Sequence, residues 1–377
     1  VKFLFLSSHA HLALDPAAKA VSGGAELQVA LLAAALVERG HEAVIVGGDT
    51  GQPDERRLRG VRTLLGGKFH TGKLWDTLKA LPLVLRIIAR EKPDHTLILG
   101  WTSWMFFLLV FRRWLRTRLG FICGLDTEVN GGFRRENPFR GFLFEYGVRH
   151  ADFRWAMTDY QRDQFHRLGL SCGLYRNLIL PRAKPRTAPK DIGLLWVARC
   201  QPIKRPHLFL DLAARLPETR CVMVCPDEDR PLWESLELRA RNLPNVHFLI
   251  RVPYHEIQDY YDRAQIFVNT SEAEGFPNSF IQAAQGATAI LSLNVDPDGV
   301  LTRFGAGLCA GDNLEWFFEL AEQLVSDRGG LEKLQSRALR FVTELHDTGR
   351  NVDAFLAGLG PEGISHPAQA APTGAPA

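Results

Sequence analysis

The sequence has 377 residues and no CxxC pair. Its six cysteines (Cys123, Cys172, Cys200, Cys221, Cys225 and Cys309) are scattered, and Cys123, Cys221 and Cys225 stand in apolar stretches. That excludes a disulfide scaffold and argues against zinc, since nothing has paired-ligand spacing; reduced, buried thiols are predicted. His9 and His11 flank Ala10 with no acid or thiol close by, so they read as loop histidines. There is no long apolar run. The most apolar segment, Trp104–Phe111 (WMFFLLVF), is well short of the ~18 residues a spanning helix needs. It reads as a buried crossover helix, with an interfacial helix as the alternative. The opening VKFLFLSS reads as a first strand, not a leader peptide. A GxGxxG fingerprint is missing, and so is the acid expected about 20 residues beyond it, which disfavours an NAD-dependent dehydrogenase.

What is present is an ordinary globular composition, 46% hydrophobic and 23% charged. It excludes wholesale disorder, a collagen-like chain and a long coiled coil, and the length suits two domains. The net charge of +3 is uneven: residues 1–182 hold 26 Lys and Arg against 17 Asp and Glu, and residues 183–377 hold 19 against 25. A basic half attracts phosphates or anionic lipid, although solvated surface arginines give the same count. Apolar strands alternate with amphipathic helices from Lys2 to Leu168. The pattern stops in a Pro- and Lys/Arg-rich stretch and restarts at Ile192. Alternation of this kind predicts α/β architecture, with two tandem Rossmann-like, doubly wound domains of parallel strands and a ligand cleft between them. The expected divisions are an N-terminal domain at 1–182, a linker at 183–191, a C-terminal domain at 192–357 and a disordered Pro/Ala/Gly-rich tail at 358–377.

Three segments carry candidate chemistry. Ser22-Gly23-Gly24-Ala25-Glu26 opens a helix after the first strand. Glycines let backbone approach a ligand, and a helix start favours a phosphate. A plain helix start capped by Ser22 explains it equally well. Arg199 and Lys204 follow the first strand of the second half, a strand's carboxyl end, where two cations can hold a diphosphate and neutralise a leaving group. The bland reading is a pair of solvated charges. The third segment, Ser271-Glu272-Ala273-Glu274-Gly275-Phe276-Pro277-Asn278-Ser279-Phe280-Ile281-Gln282, joins a strand to a helix starting near Pro277. The first N–H groups of that helix, at Asn278 and Ser279, can meet an anion. On the bland reading Glu274 complements the helix dipole and Gln282 faces solvent.

In this order, on this architecture, the three segments closely resemble glycosyltransferase family 4, whose members are retaining, nucleotide-sugar-dependent enzymes of the GT-B fold. The resemblance runs from about Phe3 to Leu345. It implies that Gly23 and Gly24 form the glycine loop near the donor phosphates and the acceptor, and that Arg199 and Lys204 grip the donor diphosphate. It further implies that Glu274, the first carboxylate of the family's Glu-x7-Glu motif, contacts hydroxyls of the transferred sugar. Gly275, Phe276, Asn278 and Ser279 then offer backbone N–H groups to sugar and phosphate. The sequence departs from the pattern twice. The second Glu, a ribose ligand in the family, is Gln282, which has one acceptor oxygen and an NH2 donor. The family's usual His after a first-domain strand is absent. Asp126 takes its place near the reacting centre, with Glu128 as the alternative.

The implied activity is hexosyl transfer from a nucleoside-diphosphate sugar to a hydroxyl of a glycan or lipid-linked glycan, in cell-envelope polysaccharide or glycolipid synthesis. No cofactor or metal is expected, because Arg199, Lys204 and helix N–H groups answer the leaving phosphate. Asp296-x-Asp298 has the spacing of a metal-binding acidic pair, but Pro297 and its place beyond the motif helix predict a loop. Expected partners are the donor, the acceptor and an anionic membrane surface, not nucleic acid. The expected location is the cytoplasm, with peripheral attachment to the inner face of the cytoplasmic membrane as a variant. Competing readings are an epimerase or hydrolase of nucleotide sugars on the same fold, and a non-catalytic binding homologue.

Overall fold

The computed structural model describes residues 1–15, 23–68, 74–179, 189–253 and 256–360. Its strands, in chain order, are β1 (Lys2–Leu6), β2 (Glu42–Gly47), β3 (Glu55–Leu58), β4 (Val61–Leu65), β5 (His95–Leu99), β6 (Arg118–Ile122), β7 (Phe153–Ala156) and β8 (Gly173–Leu174), then β9 (Ile192–Val197), β10 (Cys221–Val224), β11 (Val246–Leu249), β12 (Ala264–Asn269), β13 (Ala289–Ser292) and β14 (Gly307–Cys309). They fall in two compact units. The first comprises Val1–Met157, Gln161–Tyr175 and the chain from Gly349. The second comprises Thr158–Tyr160 and Arg176–Thr348.

The first unit holds an eight-stranded sheet in the order β3-β4-β2-β1-β5-β6-β7-β8, parallel except where β3 meets β4. From β1 the chain steps one way to β2 and β4, and the other way through β5, β6 and β7, so the strand order reverses between β1 and β5. Leu4, Leu6, Val44, Val46, Ile98 and Phe121 face a core built with Ala80, Val84 and Ile88, with Trp104, Met105 and Leu108, and with Phe144 and Val148. Those residues come from the Leu74–Glu91, Trp104–Val110 and Pro138–His150 helices. All three lie in crossovers that step the same way across the sheet, and right-handed crossovers put them on one face. The segment from Trp104 is a crossover helix as expected, but it is broken after Val110 and resumes as a short turn, Arg112–Leu115.

The second unit holds a six-stranded, all-parallel sheet, β11-β10-β9-β12-β13-β14. Leu194, Trp196, Met223, Ile266 and Val268 line one face and Leu195, Val222, Phe267 and Ile290 the other, so both faces carry helices. Here too the order reverses, between β9 and β12.

Several expectations need correction. The helix Thr348–Ala357 was expected in the C-terminal domain, yet from Gly349 it groups with the first unit. Phe355 stacks on Trp155 with ring centroids 4.5 Å apart, and Trp155 Nε1 donates to its carbonyl at 3.2 Å. Arg39 Nη2 donates to Gly349 O at 2.7 Å and to Asp353 at 3.0 Å. Consequently the tail expected from residue 358 does not begin there, since Leu359 is buried; residues 361–377 lie outside the described residues. So does most of the expected linker at 183–191, but its last residues are anchored. Lys190 Nζ donates to Ala264 O, Gly286 O and Thr288 Oγ1 at 2.6–2.8 Å. His11 sits in a short helix, Ala10–Leu14, and not in a loop. Burial lowers its pKa to about 4, and Nε2 meets Thr50 Oγ1 at 3.0 Å.

Candidate active site

In the second unit the strand-order reversal between β9 and β12 brings two strand ends together, the position where open α/β sheets take ligands. The pairing Ile266↔Leu194 and Phe267↔Leu195 sets the register. From β9 the chain runs through Arg199 into a 3₁₀ turn, Pro202–Lys204, and from β12 it runs through Ser271 and Glu274 to the helix Asn278–Gln285. The two loops are stitched to each other. Glu272 N donates to Ile203 O at 2.9 Å, and Thr270 Oγ1 donates to Lys204 O at 2.7 Å while accepting from Trp196 Nε1 at 2.9 Å.

That stitching places Lys204 Nζ 2.7 Å from Glu274 Oε1. The carboxylate also accepts from Ser271 Oγ at 2.8 Å, and Asn269 Nδ2 lies 3.5 Å away. Arg199 stays on the same loop, but its half-exposed guanidinium leans toward Glu228, 4.0 Å off, and does not join the pair. Gly275 and Phe276 are buried, and Asn278 and Ser279 are half-buried at the helix start. Pro277 occupies the cap position with extended backbone, so the first turn has no side-chain cap. Asn278 Oδ1 accepts from Asn177 Nδ2 at 2.9 Å. Gln282 is buried, not solvent-facing, and its Nε2 has no hydrogen-bond partner among the described residues.

Sequence reasoning missed three supporting residues. Arg205, at φ +45°, turns its guanidinium back under the site to donate to Thr270 O at 2.9 Å and Ser271 O at 3.3 Å, and it pairs with Asp312 at 2.7 Å. Ser271 touches the Glu274 carboxylate directly. Tyr261 is fully buried, and its hydroxyl has no hydrogen-bond partner among the described residues; burial and the nearby Glu274 charge push its pKa up. Arg205 left a trace in the sequence as a third cation beside Lys204, and Ser271 as the head of the third segment; Tyr261 left none.

In the first unit Gly23 caps the helix Gly24–Glu38 with extended backbone. The Glu26 carboxylate occupies the place where a Cβ on Gly23 would stand. Ser22, expected as the cap, lies outside the described residues. Asp126 opens a 3₁₀ turn after β6, half-buried, and its Oδ1 accepts from Gln161 Nε2 at 3.0 Å. Glu128, two residues on, is turned inward. Its two oxygens accept from Trp101 N and Gly124 N, each at 2.8 Å, tying the loop after β5 to the loop after β6. Burial raises its pKa to about 7 against these backbone donors. Glu128 is therefore a buried strut, and Asp126 is the more accessible carboxylate.

The Asp296-x-Asp298 segment is a turn with a structural task. Asp298 accepts from the Asp159 and Tyr160 N–H groups at 2.8 and 3.1 Å and from Arg176 at 3.0 Å, and Asp296 caps Leu301 and Thr302. The cysteines are free, and Cys123, Cys221 and Cys225 are buried.

Residues 23–173 match a glycosyl transferase 4-like domain, and residues 191–327 match the glycosyl transferases group 1 domain. The chain belongs to the family 4 type of GT-B glycosyltransferases. A curated relative, D-inositol 3-phosphate glycosyltransferase of Rhodococcus jostii, is 31% identical over 176 residues, which is 42% of this chain. The match spans only 38% of that relative's length. Among solved structures, sucrose-phosphate synthase from Thermosynechococcus elongatus superposes with a TM-score of 0.76 at 17% identity, covering 94% of this chain and 97% of that one. The Anabaena protein Alr3699/HepE, solved with UDP-glucose, gives 0.69 at 15% identity, covering 95% and 99%. At these identities the structures speak for the GT-B fold that the family shares. No described helix is long and apolar enough to cross a membrane.

Proposed function

We propose that this glycosyltransferase moves a sugar from a nucleoside-diphosphate sugar to a hydroxyl of a glycan or lipid-linked glycan, with retention at the anomeric carbon. The observation that carries the reading is the Lys204–Glu274 pair at the strand-order reversal of the second unit. An ammonium has three N–H donors, so Lys204 can hold Glu274 and a phosphate oxygen together. As the C1–O bond to the diphosphate breaks, Arg199, Lys204 and the helix N–H groups at Asn278 and Ser279 meet the growing charge, the task a divalent ion performs in other transferases. Glu274 orients the sugar through its hydroxyls, which is a positioning effect. The acceptor hydroxyl attacks on the face the phosphate leaves, and a phosphate oxygen takes its proton. The Gly23-Gly24 helix start is assigned to the donor phosphates and the acceptor, and Asp126 to the donor sugar or the acceptor hydroxyl. The UDP-glucose held by the Anabaena protein makes a UDP-sugar the first donor to try.

The test is a thermal-shift panel of UDP- and GDP-sugars, followed by nucleotide release with and without candidate acceptors. Acceptor-dependent release with formation of a glycoside is expected. Release without acceptor would favour a hydrolase. Binding without turnover would favour a non-catalytic homologue, the reading that Gln282 in place of a carboxylate supports.

A further inference from the structure

The three crossover helices on one face of the first unit carry apolar side chains on their outward as well as their inward faces. On Leu74–Glu91 the exposed stripe is Trp75, Leu78, Lys79, Pro82, Leu83, Arg86 and Arg90, apolar at its start and basic at its end. On Pro138–His150 it is Phe139, Phe142, Tyr146 and Arg149, at the three- and four-residue spacing of a single helix face. Between them the break after Val110 exposes Val110, Phe111 and Trp114 beside Arg112, Arg113 and Arg116.

Trp75 is 74% exposed, Phe139 67% and Trp114 57%. Large aromatics at such exposure are not needed by the core, which the buried residues of the same helices already fill. The middle and last helices are neighbours, Phe106 meeting Tyr146 at 5.8 Å between ring centroids, and the Leu74–Glu91 helix packs against the Arg112–Leu115 turn. Across residues 74–150 there are 12 Lys and Arg against 7 Asp and Glu. Two of the acids, Glu91 and Glu128, are buried.

We propose that this face docks on an anionic lipid bilayer, with Trp75, Trp114, Phe139 and Phe142 entering the headgroup boundary and Arg86, Arg113, Arg116 and Arg149 meeting lipid phosphates. Charge decides the occupant. A second copy would oppose basic face to basic face, whereas an anionic surface complements it. Protruding indole and phenyl rings among arginines suit a soft interface that moulds around separate side chains. The proposal needs no donor or acceptor and so stands or falls apart from the transfer reaction.

The experiment is co-sedimentation of the whole chain with phosphatidylglycerol-containing vesicles and with phosphatidylcholine vesicles, across a salt series. Binding to the first, weak or no binding to the second, and release by salt are expected. Trp75→Ser/Trp114→Ser/Phe139→Ser and, separately, Arg86→Glu/Arg113→Glu should each lower the partition coefficient at least tenfold; each cation at an anionic surface contributes about fivefold. Unchanged melting and unchanged far-UV circular dichroism certify the fold of both variants. No sedimentation at low salt, or undiminished binding by both variants, overturns the proposal. So does a dimer in light scattering that the aromatic variant alone abolishes.

Discussion

Removing one partner of the Lys204–Glu274 pair tests the site as drawn. The ammonium and carboxylate are 2.7 Å apart with side chains only 13% and 19% exposed, so water screens them little. A fully buried charge stripped of its partner costs about 3–5 kcal/mol. Here Glu274 keeps the Ser271 hydroxyl at 2.8 Å, and some solvent reaches both groups. The expected loss is therefore about 2 kcal/mol for Lys204→Ala, the scale of one charge-assisted hydrogen bond. Glu274→Ala should lose about as much for the same reason. The double variant removes both charges and strands neither, so it should lose about 2 kcal/mol and not the sum, giving a coupling of roughly 2 kcal/mol. For a unit of this size that is a fall of about 4–8 °C in Tm for each single variant. Urea unfolding of wild type, both single variants and the double, followed by tryptophan fluorescence, gives the cycle. A coupling below about 0.5 kcal/mol, within the scatter of independent sites, would mean that the two side chains do not hold one another.

Turnover by Arg199→Ala and by Lys204→Ala should each fall by roughly 10²–10³, the usual effect of losing one charge-stabilising donor, with melting curves showing a folded chain; near-normal rates in both would remove the diphosphate assignment. Glu274→Gln should damage transfer far more than binding of the bare nucleoside diphosphate, measured by calorimetry, because that ligand lacks the sugar; the reverse order would reassign the carboxylate. The Glu128 carboxyl has its pKa raised from 4.5 to about 7, so the folded state keeps a proton that the unfolded chain has lost. Its contribution is complete below pH 4.5 and is lost as pH rises to 7, a fall of roughly 3 kcal/mol. Glu128→Gln should flatten that part of the stability–pH curve in urea melts at several pH values, and parallel curves for variant and wild type would refute it.

Most strands that could be read from sequence are buried on both faces: β1, β2, β5, β9, β10 and β12 are short apolar runs, and their period and flanking turns mark them. β4 and the edge strand β11 were legible although partly exposed, because apolar residues still dominate them. The strands that could not be read are marginal by the same physics. β3, Glu55–Leu58 (ERRL), is a charged edge strand held only by antiparallel pairing to β4, and β8 and β14 are two and three residues long at sheet edges. The helix Thr348–Ala357 illustrates a different limit. Its amphipathic pattern is local, but the partner of Phe355 is Trp155, 200 residues earlier, and nothing in either neighbourhood names the other. A domain boundary drawn where composition shifts assumes that each domain is one continuous stretch, and here the chain returns.

The candidate site divides in the same way. Lys204 and Glu274 were legible because loop chemistry at the carboxyl ends of strands is local, and the order of β9 and β12 then brings those ends side by side. The distance between them was not legible, nor was the direction Arg199 takes, because both depend on bonds made across loops: Glu272 N to Ile203 O, Thr270 Oγ1 to Lys204 O, and Arg205 to two carbonyls of the opposite loop. Arg205 looks in sequence like one more basic residue beside Lys204. In the fold its positive φ sends the guanidinium backward, and the charge is used on backbone oxygens and Asp312. Asp126 and Glu128 make the converse case. They are two residues apart on one turn, yet Asp126 is half-exposed and accepts from Gln161, whereas Glu128 is buried and ties two loops together. Composition places charges on a loop; only packing decides which of them face a ligand and which hold the loop that carries it.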